Sequence, residues 1–511
     1  MSRFARHDMQ PYPILFAPLK VNELELPNRI VVTAMVTRLS GEDGLVNQDI
    51  TDRYVRFAKG EAGLIVVEAT AVHRAKSGPL LRMCDDEFID GHRAMLKKMR
   101  EAGPSKVALQ IIHFMKIARS GWRQTVDLLS SEEIAQIVDA YGEAAARTRE
   151  AGYDAVELHM AHAYTLSSFL SAKNKRRDGY GGRSLETRLR LPSEVLLRVR
   201  EQVGDDFPIG VRFDGEECIK GGYGLTDSRY IALRFAQLGA DYISLSAGGK
   251  FEDAIHKPGE PLYPYTGYSG DRTMPPASYE FGANVYLSAT IKDFLNAHGY
   301  TTPVVTTGKI NTPQLAETIL ENGQADLIGF ARALLADPDF PKKARLGREE
   351  TIVRCIYGNI CKSLDENFRQ VRCGSLWHRE FLHAPEAPDD VTPPIWEDGA
   401  QLVLKYNELG QVRLTWRAAQ DPQGVYGYEI FRGVNDGPFV HLTSSLTPSH
   451  VDEYALAGNR YAYYVRAYDF AGNRSAPSET VEVRVTPAFA LPDGARLRLD
   501  GDVEAEKGFV A

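Results

Sequence analysis

The stretch Tyr153-Asp-Ala-Val-Glu157-Leu158-His159-Met-Ala-His162-Ala-Tyr164 decides how the rest of the chain is read. The apolar run from Tyr153 to Leu158 has the length and composition of a buried strand. It stops at His159, and a second histidine and a tyrosine follow in a loop. A cluster of this kind can bind a carbonyl or anionic oxygen and supply a proton beside it. Two histidines near a strand end are also quite often plain core or surface residues, so the surroundings must decide.

Working outward, apolar β-branched runs alternate with helical patterns up to about residue 347. The expected strands are Arg29–Met35, Leu64–Ala69, Val107–Ile112, Tyr153–His159, Ile209–Phe213, Tyr242–Ser246, Pro303–Thr307 and Ala325–Phe330. Amphipathic segments lie between them: Phe88–Glu101, Ser131–Ala151, Leu185–Val203, Arg229–Leu238 and Thr312–Glu321. Eight strand–helix pairs predict an α/β protein built on a closed parallel (β/α)8 TIM barrel rather than an open sheet. In such a barrel the active residues sit where strands end. Polar residues do gather there: Gln110 inside an apolar strand, Arg212 inside another, and Gly308-Lys309 and Ala331-Arg332 after the last two. A buried glutamine is costly unless paired, and a buried guanidinium needs an acceptor. For Arg212 the plain alternative is an internal salt bridge to Glu157 or Glu68.

The segment after Tyr164 carries a resemblance. Phe169-Leu170-Ser171, Asn174, Asp178, Tyr180-Gly181-Gly182 and Leu185-Glu186-Thr187-Arg188 closely resemble the signature of the old yellow enzyme family. These are flavin mononucleotide (FMN)-dependent ene-reductases, and their larger relatives include 2,4-dienoyl-CoA reductase and trimethylamine dehydrogenase. The resemblance implies FMN at the strand ends, held by Thr33, Ala34, Met35, Val36, Ala69 and Gln110 on the first three strands. Arg212 would face the flavin's pyrimidine end. Gly308, Lys309, Gly329, Ala331 and Arg332 would grip its phosphate, and Ala336-Asp337-Pro338-Asp339-Phe340 would cap the next helix. His159, His162 and Tyr164 would be catalytic and would bind substrate, with Thr37 as a further polar contact. Departures occur at Ala34 and Val36, where proline and a polar residue are usual, and at Met115-Lys116, which replace Gly-Arg. NAD(P)H would reduce the flavin by stacking on it, so no Gly-x-Gly-x-x-Gly fingerprint is needed. The histidines would then hold the oxygen of an α,β-unsaturated carbonyl. Tyr164, with a reference pKa of about 10, would protonate the α-carbon. Two rivals stand beside this reading: an oxidative amine or betaine demethylase on the same scaffold, and a non-catalytic flavin-binding or interaction protein.

Cys355, Cys361 and Cys373 lie where the larger relatives ligate a [4Fe–4S] cluster, and Gly358 stands at the second ligand's place. A clusterless remnant is the preferred reading. A cluster with an outside ligand remains open, as does zinc completed by His378.

The barrel is expected over 12–350, with the cysteine-containing extension over 351–383 and a stiff proline-rich linker over 384–394. Beyond it the pattern changes to short alternating strands, Gln401–Tyr406, Val412–Trp416, Gly427–Arg432, Phe439–Leu442, Arg460–Tyr468 and Thr480–Val485. They predict a small all-β, immunoglobulin-like sandwich over 395–487, followed by a tail over 488–511. Its strands resemble a fibronectin type III domain, with Trp416 in the core and Tyr461 as the corner tyrosine. The expected role is packing or protein contact, a homo-oligomer included. The long loop from Gly248 to Phe281, with Tyr263, Tyr265 and Tyr268, is expected to wall the substrate side.

Composition narrows the function classes. The chain has 511 residues, 43% of them hydrophobic, enough for a large core in more than one domain. Its net charge of −8 argues against nucleic-acid binding. No stretch reads as a membrane span or secretory signal, and five cysteines are too few for a disulfide scaffold, so a cytoplasmic setting is expected.

Overall fold

A computed structural model describes residues 11–75, 78–115, 124–249, 270–373, 392–406, 412–422, 424–445, 447–452, 455, 458–469 and 473–485. Lys116, most of the expected 248–281 wall with its three tyrosines, His378, most of the linker and the tail lie outside them. The chain divides into two compact units, 1–384 and 385–511. Among the described residues no helix is long and apolar enough to cross a membrane.

In the first unit eight parallel strands close into a barrel. They are β1 (Ile30–Val32), β2 (Leu64–Ala71), β3 (Lys106–Ile112), β4 (Ala155–Met160), β5 (Ile209–Asp214), β6 (Tyr242–Ser246), β7 (Val304–Thr307) and β8 (Leu327–Phe330), and β8 pairs back onto β1. All eight expected strands are present. The first is shorter than read, because Thr33 to Met35 leave the ladder to line the cleft described below.

The helices between them follow local chemistry. Helix α1 (Gln48–Lys59), which the pattern had not suggested, starts at Asn47, whose side chain accepts the Ile50 N–H. Helix α2 (Ser131–Ala151) has a reciprocal capping box between Ser130 and Glu133 and ends at Gly152, where φ is +96°. Helix α3 (Pro313–Glu321) has proline in its first turn and Thr312 as its cap. The expected Leu185–Val203 helix is broken at Leu189 into two.

Side chains alternate across each strand, so every second residue faces the barrel axis. At the bottom these positions are apolar: Val31, Leu64, Val66, Ala108, Ala155, Tyr242, Val305 and Leu327 form one buried cluster. Gly210 is required there, because a Cβ would lie 2.0 Å from the Tyr242 ring. Two residues further along each strand the same face turns polar, with Glu68, Gln110, Glu157, Arg212 and Ser244 all buried. The sequence therefore fills the bottom and reserves the top for chemistry.

After β8 the chain does not leave the barrel. Asp337, fully buried, accepts from Lys343 Nζ (2.7 Å), Val353 N (2.9 Å) and Asp339 N (3.1 Å). The expected cap is thus more than a helix start, since Asp337 ties the post-barrel segment back to the barrel top. The ion pair Arg38–Asp365 (2.8 Å) ties it a second time.

The second unit holds a three-stranded and a four-stranded antiparallel sheet around its own core. All six expected strands are found, together with Ser449–Asp452, which the pattern missed. Trp416 and Tyr461 are buried in that core.

Candidate active site

The polar top of the barrel opens into a cleft of about 1070 Å³, counting its mouth. All twelve residues expected to hold the cofactor line it, from Thr33, Ala34, Met35 and Val36 through Ala69, Gln110 and Arg212 to Gly308, Lys309, Gly329, Ala331 and Arg332. His159, His162 and Tyr164 line the same cleft.

Thr37 does not. It is buried, its N–H donates to Glu68 Oε2 (3.2 Å), and its hydroxyl accepts from Leu39 N (3.1 Å). Both groups are thus engaged within the wall beside the cleft.

Strand register explains which groups meet. Gln110 pairs with Glu157, and His159 with Arg212 and then Ser244. Gln110 Nε2 donates to Glu157 Oε1 at 2.6 Å, which satisfies one amide group. Arg212 donates to Ser244 Oγ (2.9 Å) and Ser246 Oγ (3.4 Å). The salt bridge to Glu157 or Glu68 does not form, and no carboxylate among the described residues pairs with Arg212. Burial lowers its guanidinium pKa, Glu157 and Asp214 offset this in part, and the neighbouring fields leave a buried cation facing the cleft.

The His159–His162–Tyr164 cluster is compact. The His159 ring centre lies 5.0 Å from that of His162 and 5.1 Å from that of Tyr164. His162 and Ala163 both have positive φ, +63° and +57°, a costly conformation for residues with a Cβ. Asp214 Oδ2 at the end of β5 holds the turn by accepting His162 N–H at 2.8 Å.

On the opposite side, Gly329 leaves a slot between β1 and β7: a Cβ there would sit 2.3 Å from Thr307 Cγ2 and 2.7 Å from Thr33 Cγ2. Lys309 and Arg332 flank it. Lys309 Nζ donates to Ala277 O at 2.5 Å and to Tyr279 O, and burial beside Arg332 lowers its pKa to about 8. Arg332 donates to Pro275 O (2.8 Å) and Asn359 Oδ1 (2.6 Å). Both cations lie over the Tyr357 ring, at 5.1 and 4.8 Å.

Tyr357, Cys361, Asp365 and Val371 of the post-barrel segment also line the cleft, which the sequence did not suggest. Cys361 is a wall residue, and burial pushes its thiol up to about 11. Among the described residues no group of three His, Cys, Asp or Glu side chains is placed to hold a metal. Thr273 and Met274, in the described part of the loop expected to wall the substrate side, also line the cleft, as does Thr307.

Glu68 beneath the Val36–Thr37 wall yields a pH prediction. Its Oε2 accepts from Thr37 N and Tyr54 Oη, while burial pushes the carboxyl up to about 7 despite Arg53 and Arg38 nearby. An unfolded glutamate ionises near 4.3. Between these values the unfolded chain sheds a proton that the folded chain keeps, so stability present below about pH 4.3 is lost as pH rises through about 7. Glu68→Gln keeps the acceptor and removes the titration. It should match the parent near pH 4 and exceed it by roughly 3 kcal/mol at pH 8, measured by urea unfolding. A difference independent of pH would overturn the assignment.

One cleft at the top of a closed parallel barrel thus gathers a buried cation, a histidine–tyrosine cluster and a glycine-and-cation rim. The chain belongs to the NADH:flavin oxidoreductase / NADH oxidase family, whose model matches residues 14–127, 115–258 and 275–351. It is 34% identical over 373 residues to the NADH oxidase of Thermoanaerobacter brockii, an alignment that covers 69% of this chain and 54% of that protein. It is 32% identical over 354 residues to the NADPH dehydrogenase of Halalkalibacterium halodurans, covering 66% of this chain and 96% of that one. Among solved structures, histamine dehydrogenase from Rhizobium sp. 4-9 matches with a TM-score of 0.62 and 26% identity, over 72% of this chain and 53% of that one. The chain thus spans about half the length of the NADH oxidase and of the histamine dehydrogenase.

Proposed function

We propose that this protein is an FMN-dependent ene-reductase that uses NAD(P)H to reduce the activated C=C bond of an α,β-unsaturated carbonyl compound. The observation that carries the reading is the His159–His162–Tyr164 cluster in the same cleft as the twelve expected cofactor residues. The donor set suits FMN: Gln110 and Arg212 for the ring, the Gly329 slot and Gly308 for close backbone approach, and Lys309 and Arg332 for a phosphate. When bound, FMN supplies hydride chemistry, accepted from NAD(P)H and passed to the substrate β-carbon.

The chain's own residues do the rest. Arg212 places a fixed positive charge where negative charge gathers on reduction. His159 and His162 hold the carbonyl oxygen and draw electron density from the β-carbon. Tyr164 delivers its phenolic proton to the α-carbon. Met35, Val36 and Phe330 supply the apolar part of the cleft lining.

A second reading, oxidation of an amine on the same site, draws support from the 26% identity to histamine dehydrogenase. Anaerobic half-reactions separate the two. Cyclohexenone should reoxidise the reduced protein, whereas amines should leave the oxidised protein's absorbance unchanged. Bleaching by an amine, with no reoxidation by enones, would reverse the assignment. Failure of both, and of both nicotinamides as donors, would support a non-catalytic flavin-binding role.

The C-terminal unit is read as a fibronectin type III-like packing or interaction module. The support is the burial of Trp416 and Tyr461 within its core.

A further inference from the structure

We infer that Ser246 is a positioning residue that fixes the tautomer of His162 and couples it to Arg212. The tautomer rests on hydrogen bonds alone; its consequence for substrate rests on the ene-reductase reading.

Ser246 ends β6 and is buried. Its Oγ lies 2.7 Å from His162 Nε2 and 3.4 Å from Arg212 Nη2. A guanidinium is donor-only, so the Arg212 contact takes a lone pair of the serine oxygen. The hydroxyl proton then has one acceptor among the described residues, His162 Nε2. A neutral imidazole that accepts at Nε2 carries its proton at Nδ1. The opposite arrangement, with Nε2–H donating to Ser246, would strand a buried hydroxyl proton, at a cost of about 1–3 kcal/mol.

The surroundings agree. Asp214 Oδ1 lies 3.9 Å from His162 Nε2. At that distance this oxygen makes no hydrogen bond to the ring nitrogen, and burial raises the Asp214 carboxyl well above its ordinary pKa. The other oxygen, Oδ2, accepts from His162 N (2.8 Å) and Ser167 Oγ (3.3 Å). Gly249 backs the loop so closely that a Cβ would meet His162 Cα at 2.7 Å. The backbone of His162 is therefore pinned from two sides, and the hydroxyl of Ser246 chooses which ring nitrogen carries the proton.

Two consequences follow. His162 then carries its ring proton at Nδ1, with Nε2 engaged by Ser246. Arg212, Ser246 and His162 also form one relay from the cation at the flavin side to the donor at the substrate side. Charge arriving beside Arg212 tightens or loosens its hold on Ser246, and His162 feels the change.

The test uses full-length holoprotein labelled with [15N]histidine, its ring nitrogens read by long-range 1H–15N correlation. His162→Gln identifies the His162 signals. The parent should show a protonated Nδ1 and a pyridine-type Nε2. Ser246→Ala should admit the Nε2–H form and raise the KM for cyclohexenone by about five- to tenfold, with less effect on kcat. Ser246→Thr keeps the hydroxyl and should restore both readings. A parent protonated at Nε2, or a Ser246→Ala spectrum identical to the parent's, overturns the inference, and the parent spectrum alone decides it if the alanine variant does not fold. Spectra as expected from a protein that binds no enone would leave the tautomer standing and remove the ene-reductase reading instead.

Discussion

Tyr164→Phe should slow the reoxidation of the reduced protein by cyclohexenone by about 10²–10⁴-fold, the usual contribution of a placed proton donor. The expectation follows from position. Tyr164 lines the cleft, its ring centre 5.1 Å from that of His159, and its backbone begins the short helix Thr165–Leu170. Removing only the phenolic oxygen leaves ring packing and helix start intact, so fold and flavin content should not change. The discriminating feature is asymmetry. Reduction by NAD(P)H needs no proton from Tyr164 and should stay within about threefold of the parent, while the enone half-reaction collapses. Stopped-flow absorbance under anaerobic conditions measures both halves separately. Equal enone rates in variant and parent would show that the α-carbon takes its proton elsewhere, and equal slowing of both halves would mean that the residue shapes the cleft rather than donates.

The parts of this site that were legible in the sequence share one physical property. Gln110 and Arg212 are polar residues at inward positions of strands that are otherwise apolar, and such residues must be satisfied by something. His159 ends an apolar run. Each is anomalous against its own neighbours, so a local reading finds it. The strands were legible for a related reason: buried on both faces, they are short continuous apolar runs with clear ends. Thr37 was read as a contact because it is a threonine beside cleft residues. Only the structure shows its amide turned to Glu68, with its hydroxyl capping Leu39. Ser246 was silent because a serine in Ser-Leu-Ser at a strand end is ordinary; its importance comes from two partners, 34 and 84 residues away in sequence. Helix Val285–Ala297 has a largely apolar sequence without strong periodicity, which blurs the helical signal. The cysteines drew attention as possible ligands, while the role of their segment as a wall of the cleft depends on Tyr357 and Val371, which carry no motif.

Asp337 is one of the ties that hold that wall, and Asp337→Ala should show it. Asp337 has no solvent exposure, and its two oxygens take the Lys343 ammonium and the N–H groups of Val353 and Asp339. Burial raises its pKa, and Lys343 and the Val353 amide oppose that rise, so the group is maintained by its partners. Truncation to alanine removes all three bonds at once. It strands a largely buried ammonium and a buried amide, and the loss of one partner of a buried pair costs roughly 3–5 kcal/mol. Lys343 retains the Thr351 carbonyl at 2.8 Å, which places the expected loss near the lower end of that range. Val353 begins the run that carries Tyr357 and Cys361 into the cleft, so the damage should not stop at stability. The alanine variant should also release flavin more readily, because the ring of Tyr357 loses its seat against Lys309 and Arg332. Asp337→Asn separates the two effects: an amide oxygen can still accept from Val353, but the charge on Lys343 goes unpaired. It should lose part of the stability and keep most of the flavin affinity, as measured by urea unfolding and by fluorescence of flavin released on dilution. An alanine variant as stable as the parent would mean that the other ties, among them Arg38–Asp365 and the Val371 N–H on the Thr37 carbonyl, secure the wall, and the tie at Asp337 would then be dispensable.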